Sequence, residues 1–404
     1  MPPAPNLTTN PARPPRRPLS GITRCVVIPL LLLTIGVRIG MWVEAQRSAS
    51  RGPSPPEPTG PAPRLEAATD LGDPGPSSAG DPKCALSATF ENNLYPSLLL
   101  SFGAAYPEYQ RCLRISIRNA IPGRACQLRI DSNLFLQSLE YSAPAAAAEF
   151  SLTPDLPWNY EALRRITQAQ PESFVANLVV DGRVCDQETL TCIVHSVNDA
   201  VARLLNPASG QWQDTSVCFA AYVNENHPWI NGLLQEAQAR SGLQAFSGYQ
   251  SGDVMAQVQA VWDALAARGL RYVNLATQSA PSPGVATQYV RFLDQSVQDQ
   301  GANCVDASVL LASIFRRIGL RPVLLFKPGH CFVATYDAAE GGHLIALETT
   351  LLHSASAASA AAVGAQELQT TLPYIGTLQY SMVDIALARL QGITPIAFEP
   401  ATRP

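Results

Sequence analysis

Cys304, His330 and Glu348 are the residues of this chain whose types and spacing could perform nucleophilic chemistry. Cys304 opens the stretch "CVDASVLLASIFRRIGL", whose apolar residues recur at helical spacing up to Gly319. A helix starting there holds the sulfur over unpaired N–H groups and the positive end of the helix dipole, which favour the thiolate. His330 follows "KPG" and so stands at the mouth of a strand, a position that suits a base that must be reached. If the next loop is Asp337 to Gly341, Tyr336 pairs with Gly342 and His330 falls directly opposite Glu348. A carboxylate there holds the imidazole in its working tautomer and steadies the imidazolium. A loop one residue longer would set His330 against Thr349 and break that register.

The competing reading of Cys304 by itself is a buried thiol beside a helix, because free cysteine is among the most buried residue types. Cys331 must point to the sheet face opposite His330 and reads as core. The backbone N–H of Cys304 is, by its place at the helix start, one donor for a developing oxyanion. Asp306 is expected to cap or stabilise the first turn rather than react. His343 and His353 lack a spaced Cys, His or acid that would complete a metal site, and the solitary His195 reads as structural, so neither metal nor cofactor is implied.

The elements that must position these groups fall into two blocks. From 84 to 202, "SLLLSF", "CLRISIRN", "ACQLRID", "FVANLVVDG" and "TCIVHSV" read as short strands between Pro, Gly, Asn and Asp turns, the spacing of an all-β, sandwich-like domain. From 203 to 398 the period becomes helical in "WINGLLQEAQARSG", "DVMAQVQAVWDALAARGL" and "DASVLLASIFRRIGL", each closed by a glycine. "RPVLLF", "HCFVATY" and "HLIALETT" then read as an antiparallel meander, which makes this block α+β. "SASAASAAAVGAQ" reads as an Ala/Ser loop, "YSMVDIALARLQGITPI" as a closing helix, and residues 399–404 as a tail.

The ordered run "GANCVDASVLLASIFRRIGLRPVLLFKPGHCFVATY", followed by "LIALETT", resembles the core of the transglutaminase-like superfamily, in its bacterial cysteine-protease branch. The resemblance rests on the Cys-x-Asp helix start, the Gly-x-x-Pro turn, the His strand and the acid-x-Thr strand, with flanks extending over about residues 220–398. It implies a papain-like fold in which Cys304 attacks an acyl carbonyl, His330 shuttles protons and the acid orients the histidine. Glu348 stands where the family commonly has Asp, so the backbone must absorb an extra methylene. By analogy with papain-like enzymes, Gln288 or Gln295 would supply a side-chain oxyanion donor.

Composition bounds the remaining choices. With 47% hydrophobic and 15% charged residues the 404-residue chain is globular, and a net charge of -4 with no basic face disfavours nucleic acid. Residues 1–23 are a basic, disordered N-terminus before an apolar segment at 24–43, whose stretch from Cys25 to Val43 is barely long enough to span a bilayer. The flanking Arg residues orient it with the N-terminus inside and the bulk of the chain exported. The alternative is a signal peptide, since "VEA" before Gln46 resembles a cleavage site. Residues 44–83 form a Pro/Ser/Gly-rich linker. Nine cysteines suit an oxidising compartment, with Cys185–Cys192 and Cys112–Cys126 as candidate disulfides across hairpins. Two functions follow: an exported cysteine acyl-transfer enzyme hydrolysing amide bonds in a protein or peptide substrate, or a non-catalytic envelope protein that binds a partner on the same scaffold.

Overall fold

A computed structural model describes residues 80–102, 106–206, 209–250, 252–274 and 282–396. The expected basic N-terminus, the apolar segment 24–43, nearly all of the linker and the tail lie outside the described residues. Among the described residues no helix is long and apolar enough to cross a membrane.

The first part of the described chain is mainly strand. It contains β1 (Lys83–Ala88), β2 (Asn93–Leu94), α1 (Pro96–Phe102), α2 (Pro107–Gln110), β3 (Leu113–Arg118), β4 (Ala125–Ile130), β5 (Leu139–Pro144), β6 (Phe150–Leu152), α3 (Tyr160–Arg165), β7 (Gln170–Val180) and β8 (Arg183–Val194). The strands form two sheets, β1-β3-β6 and β2-β8-β7-β4-β5. Period-two patterning decides their faces: Leu113, Ile115 and Ile117 of β3 are buried while Arg114 and Arg118 are exposed. Those residues join Leu128 and Ile130 of β4 and Phe174 and Leu178 of β7 in one apolar cluster.

Two expectations for this part are corrected. "SLLLSF" is helical, as α1, with Pro96 at the first turn where its missing N–H costs nothing. Nearly every α1 residue is buried, so its apolar run carried no period to separate helix from strand. The candidate disulfides are also absent: all eight described cysteines are free. Cys185 and Cys192 lie in the single strand β8, because the chain reverses earlier, at Asp181 and Gly182, which both hold positive φ. Cys112 precedes β3 while Cys126 is in β4, and those strands belong to different sheets.

The second part begins with β9 (Asp199–Asn206), which runs through the 202/203 boundary read from the sequence. Next come β10 (Gln211–Asp214), a 3-10 turn (Ser216–Tyr222), α4 (Pro228–Ser241), α5 (Val254–Ala267), β11 (Arg271–Tyr272) and β12 (Val285–Tyr289). They are followed by α6 (Leu293–Asp299), β13 (Gly301–Ala302), α7 (Cys304–Arg317), β14 (Pro322–Lys327), β15 (His330–Tyr336) and β16 (Leu344–Leu347). A 3-10 turn (Thr349–Leu351), α8 (Ala357–Thr371), β17 (Ser381–Asp384) and α9 (Ile385–Leu390) complete this part. The architecture is mixed α/β, with antiparallel sheets β10-β9-β12 and β16-β15-β14-β17 and a short parallel pair β11-β13.

The three helices read from their periodicity form as expected, and α7 is the central one. Its Val309, Leu310, Leu311, Ile314 and Phe315 are buried, and Val309 and Leu311 share a cluster with Leu324 of β14 and Val333 of β15. The Ala/Ser stretch is not a loop but α8. Alanine is the best helix former, and Ser356 caps the helix by accepting from Ser359 N at 3.2 Å. The closing helix is shorter than expected: Ser381–Asp384 pairs with β14 as β17, and α9 starts only at Ile385, capped by Asp384.

Candidate active site

Cys304 is the first residue of α7, and the turn beneath it is capped from both sides. Asn303 Oδ1 accepts from Val305 N and Asp306 N, each at 2.9 Å, while Asp306 Oδ2 accepts from Asn303 N at 3.1 Å. This is the reciprocal capping box, here built from Asn and Asp. Among the described residues the cap leaves the N–H of Cys304 as the donor of that turn without a partner. The Cys304 carbonyl accepts from Ser308 Oγ at 2.6 Å and Thr349 Oγ1 at 3.2 Å, which tie the helix start to the 3-10 turn.

Asp306 therefore takes the capping role read for it, with more besides. Its carboxylate also accepts from Arg291 N at 2.8 Å and Arg291 Nη1 at 2.9 Å, and both side chains are almost fully buried. Burial pushes the Asp306 carboxyl up, against the opposing pull of those donors. The pair anchors the segment before α6 to the base of α7.

His330 is placed by the two-residue turn Pro328-Gly329, across which Lys327 and His330 are paired. Proline presets φ at the first corner, and Gly329 at φ +70° accepts the second, the geometry of a type II turn. His330 Nε2 lies 2.8 Å from Glu348 Oε2. Nδ1 is then the ring nitrogen available to Cys304. Hydrogen bonding to Cys304, then to Glu348, raises the pKa of His330 to about 9 against the opposing effect of burial. The imidazolium is thus the favoured form at neutral pH.

The contact with Glu348 is made in a different register from the one expected. Tyr336 pairs with Leu344, not Gly342, and Val333 pairs with Leu347, so the loop is two residues longer than Asp337–Gly341. Continuing the register sets Glu348 beside Phe332, with His330 diagonally across. A shift of two keeps every side chain on its face, so the carboxylate still points toward the imidazole. The diagonal is the wider separation, which a glutamate spans more readily than an aspartate. β16 ends at Leu347, and Glu348 caps the following 3-10 turn, its Oε1 accepting from Thr350 N at 3.0 Å and Thr350 Oγ1 at 2.7 Å. Burial works against the charge, yet the His330 and Thr350 hydrogen bonds hold the Glu348 carboxyl below its usual range.

The two glutamines part company. Gln288 on β12 lines the cavity of about 360 Å³ that contains Cys304 and His330, with its Nε2 turned onto the carbonyl of Tyr289 at 2.9 Å. Gln295 is not brought there. Its Oε1 accepts from Phe292 N at 2.9 Å and Asn198 Nδ2 at 2.7 Å, so it is committed to the start of α6. Tyr272 was not singled out by sequence reasoning. Burial, with smaller effects from Cys304 and Glu348 nearby, raises its phenol pKa. The parallel contact of β11 with β13 carries it there, and a two-residue strand left no pattern to find.

Cys331 is fully buried, and burial drives its thiol well above the usual range. His195 is buried too, bonded to Asn93 Oδ1 at 2.8 Å and stacked on Tyr95. No grouping of His, Cys, Asp and Glu suited to a metal ion occurs among the described residues.

No protein-family model matches this chain, and no curated protein matches it. Among solved structures, red sea bream transglutaminase is similar over 59% of this chain and 48% of its own length. The identity is 11% and the TM-score 0.17, too slight a likeness to carry an argument about fold or chemistry.

Proposed function

We propose that this protein is a cysteine acyl-transfer enzyme of transglutaminase-like type that hydrolyses amide bonds in proteins or peptides. The observation that carries the reading is the contact of His330 with Glu348 at 2.8 Å, on a histidine whose pKa is raised foremost by its hydrogen bond to Cys304. A cysteine at a helix start that lines one cavity with an imidazolium is placed as a nucleophile.

In this reading Cys304 Sγ attacks the acyl carbon, and the oxyanion is met by the N–H of Cys304. Gln288 joins as second donor once its amide swings from the Tyr289 carbonyl. His330 gives its proton to the leaving amine as the C–N bond breaks, leaving a thioester. Neutral His330 then takes a proton from water, whose hydroxide attacks the thioester and frees the acid, with the sulfur leaving as thiolate beside the protonated His330. Glu348 keeps the ring oriented and stabilises its charged form throughout. Hydrolysis is favoured over transfer to an amine because water is always the available acceptor. The remaining parts of the reading are a sandwich-like arrangement of the two sheets before β9 and export of the chain through residues 24–43, by anchor or cleaved signal.

The test is the rate at which a small electrophile labels Cys304 near neutral pH. Fast labelling that is lost in His330→Ala supports the enzyme. Labelling no faster than a free thiol supports a partner-binding protein on the same scaffold.

A further inference from the structure

We infer that Arg203 reads a carboxylate on the substrate, so that the cavity takes amides with an acidic group close to the bond attacked. The inference rests on the acyl-transfer reading of Cys304. Arg203 lines the same cavity as Cys304 and His330, on the central strand β9 of the sheet β10-β9-β12. Among the described residues no carboxylate lies within ion-pair distance of its guanidinium, and no other arginine lines the cavity.

The neighbouring acid accepts from other donors. Asp214 sits directly across from Arg203 on β10, yet its Oδ1 accepts from Ser216 N at 2.9 Å and its Oδ2 from Ser381 Oγ at 2.8 Å. On the other side Arg203 pairs with Ala286 of β12, whose methyl leaves the guanidinium room. Strand alternation puts Trp212 on the same face, and the guanidinium lies over its ring at 6.0 Å from the centroid. A guanidinium with a planar support and no ion pair among the described residues is equipped for a two-pronged hydrogen bond to a carboxylate. Lys327 also lines the cavity but is paired with Glu367, so among the described lining residues Arg203 is the guanidinium or ammonium outside an ion pair.

The experiment alkylates Cys304 of the full chain with bromoacetyl-Glu and bromoacetyl-Gln, each also prepared with one alanine spacer. The Cys304 thiolate displaces bromide and forms a thioether, so no substrate need be known. The readout is the ratio of the acidic to the neutral rate for one spacer length, which cancels general changes in thiol reactivity. We expect a ratio of about ten in the wild type, falling to about one in Arg203→Gln and below one in Arg203→Glu. A wild-type ratio near one with both spacers, or a preference that persists in Arg203→Gln, overturns the inference while leaving the reactive cysteine standing. Slow labelling by all four probes, no faster than a free thiol, removes both the inference and the acyl-transfer reading beneath it.

Discussion

At the scale of single residues, the chemistry depends on the charge that Glu348 and Cys304 hold on His330. Because the folded pKa of His330 is raised from 6.5 to about 9, its contribution to stability is complete below about pH 6.5 and is lost as pH rises through about 9. The same titration removes the imidazolium that protonates the leaving amine, so the alkaline limb of kcat/KM should fall near pH 9. Glu348→Gln keeps the side chain's size and removes its charge. It should move that limb to lower pH and cut turnover by at least about tenfold, the equivalent of about 1.4 kcal/mol. Glu348→Asp should also impair turnover, because the shorter acid cannot span the diagonal to His330. Unchanged pH profiles in both variants would make Glu348 a bystander.

At the scale of elements, α8 explains why a low-complexity Ala/Ser stretch matters to the site. The backbone N–H of Glu348 donates to the carbonyl of Ala360 at 3.0 Å, so this helix holds the acid's own backbone. The approach is close because Gly364 has no side chain: a Cβ there would lie 2.4 Å from the Ala346 carbonyl oxygen on β16. Backbone atoms on both sides cannot give way cheaply. Gly364→Val should therefore push α8 away from β16, destabilise the fold by about 1–3 kcal/mol, and lower Cys304 labelling beyond what the stability loss explains. Urea denaturation alongside the labelling rate checks this, and a variant normal in both would refute the tight contact. In the sequence these small residues looked like a loop because no apolar stripe marks them. The helix is set by alanine's propensity and by a packing partner that only close approach rewards.

At the scale of the whole molecule, the described residues fall in one compact unit with two buried clusters, one drawn from the early strands and one around α7. β9, α1 and the 3-10 turn at Ser216–Tyr222 belong to the second cluster through Val201, Leu98 and Phe219, and Ser97 Oγ donates to the Asp199 carbonyl at 2.6 Å. The chain before residue 202 is therefore stitched into the site's core. Phe174→Ala, deep in the first cluster, should cost about 3–5 kcal/mol, and loss of sheet signal and loss of Cys304 protection should shift together in urea. Two separate transitions would show independent halves. The sequence by itself determined the local features: α7 with its cysteine at the first turn, the Pro-Gly corner that delivers His330, the inward face of Cys331 and the capping role of Asp306. These depend on residues close in the chain, whose periodicity and turn chemistry act over a few positions. Only the tertiary structure decided the register that sets Glu348 diagonal to His330, the approach of Tyr272, the removal of Gln295, and the delivery of Arg203 by β9. Each is a contact between distant segments, fixed by how the sheets and helices pack and by no spacing along the chain.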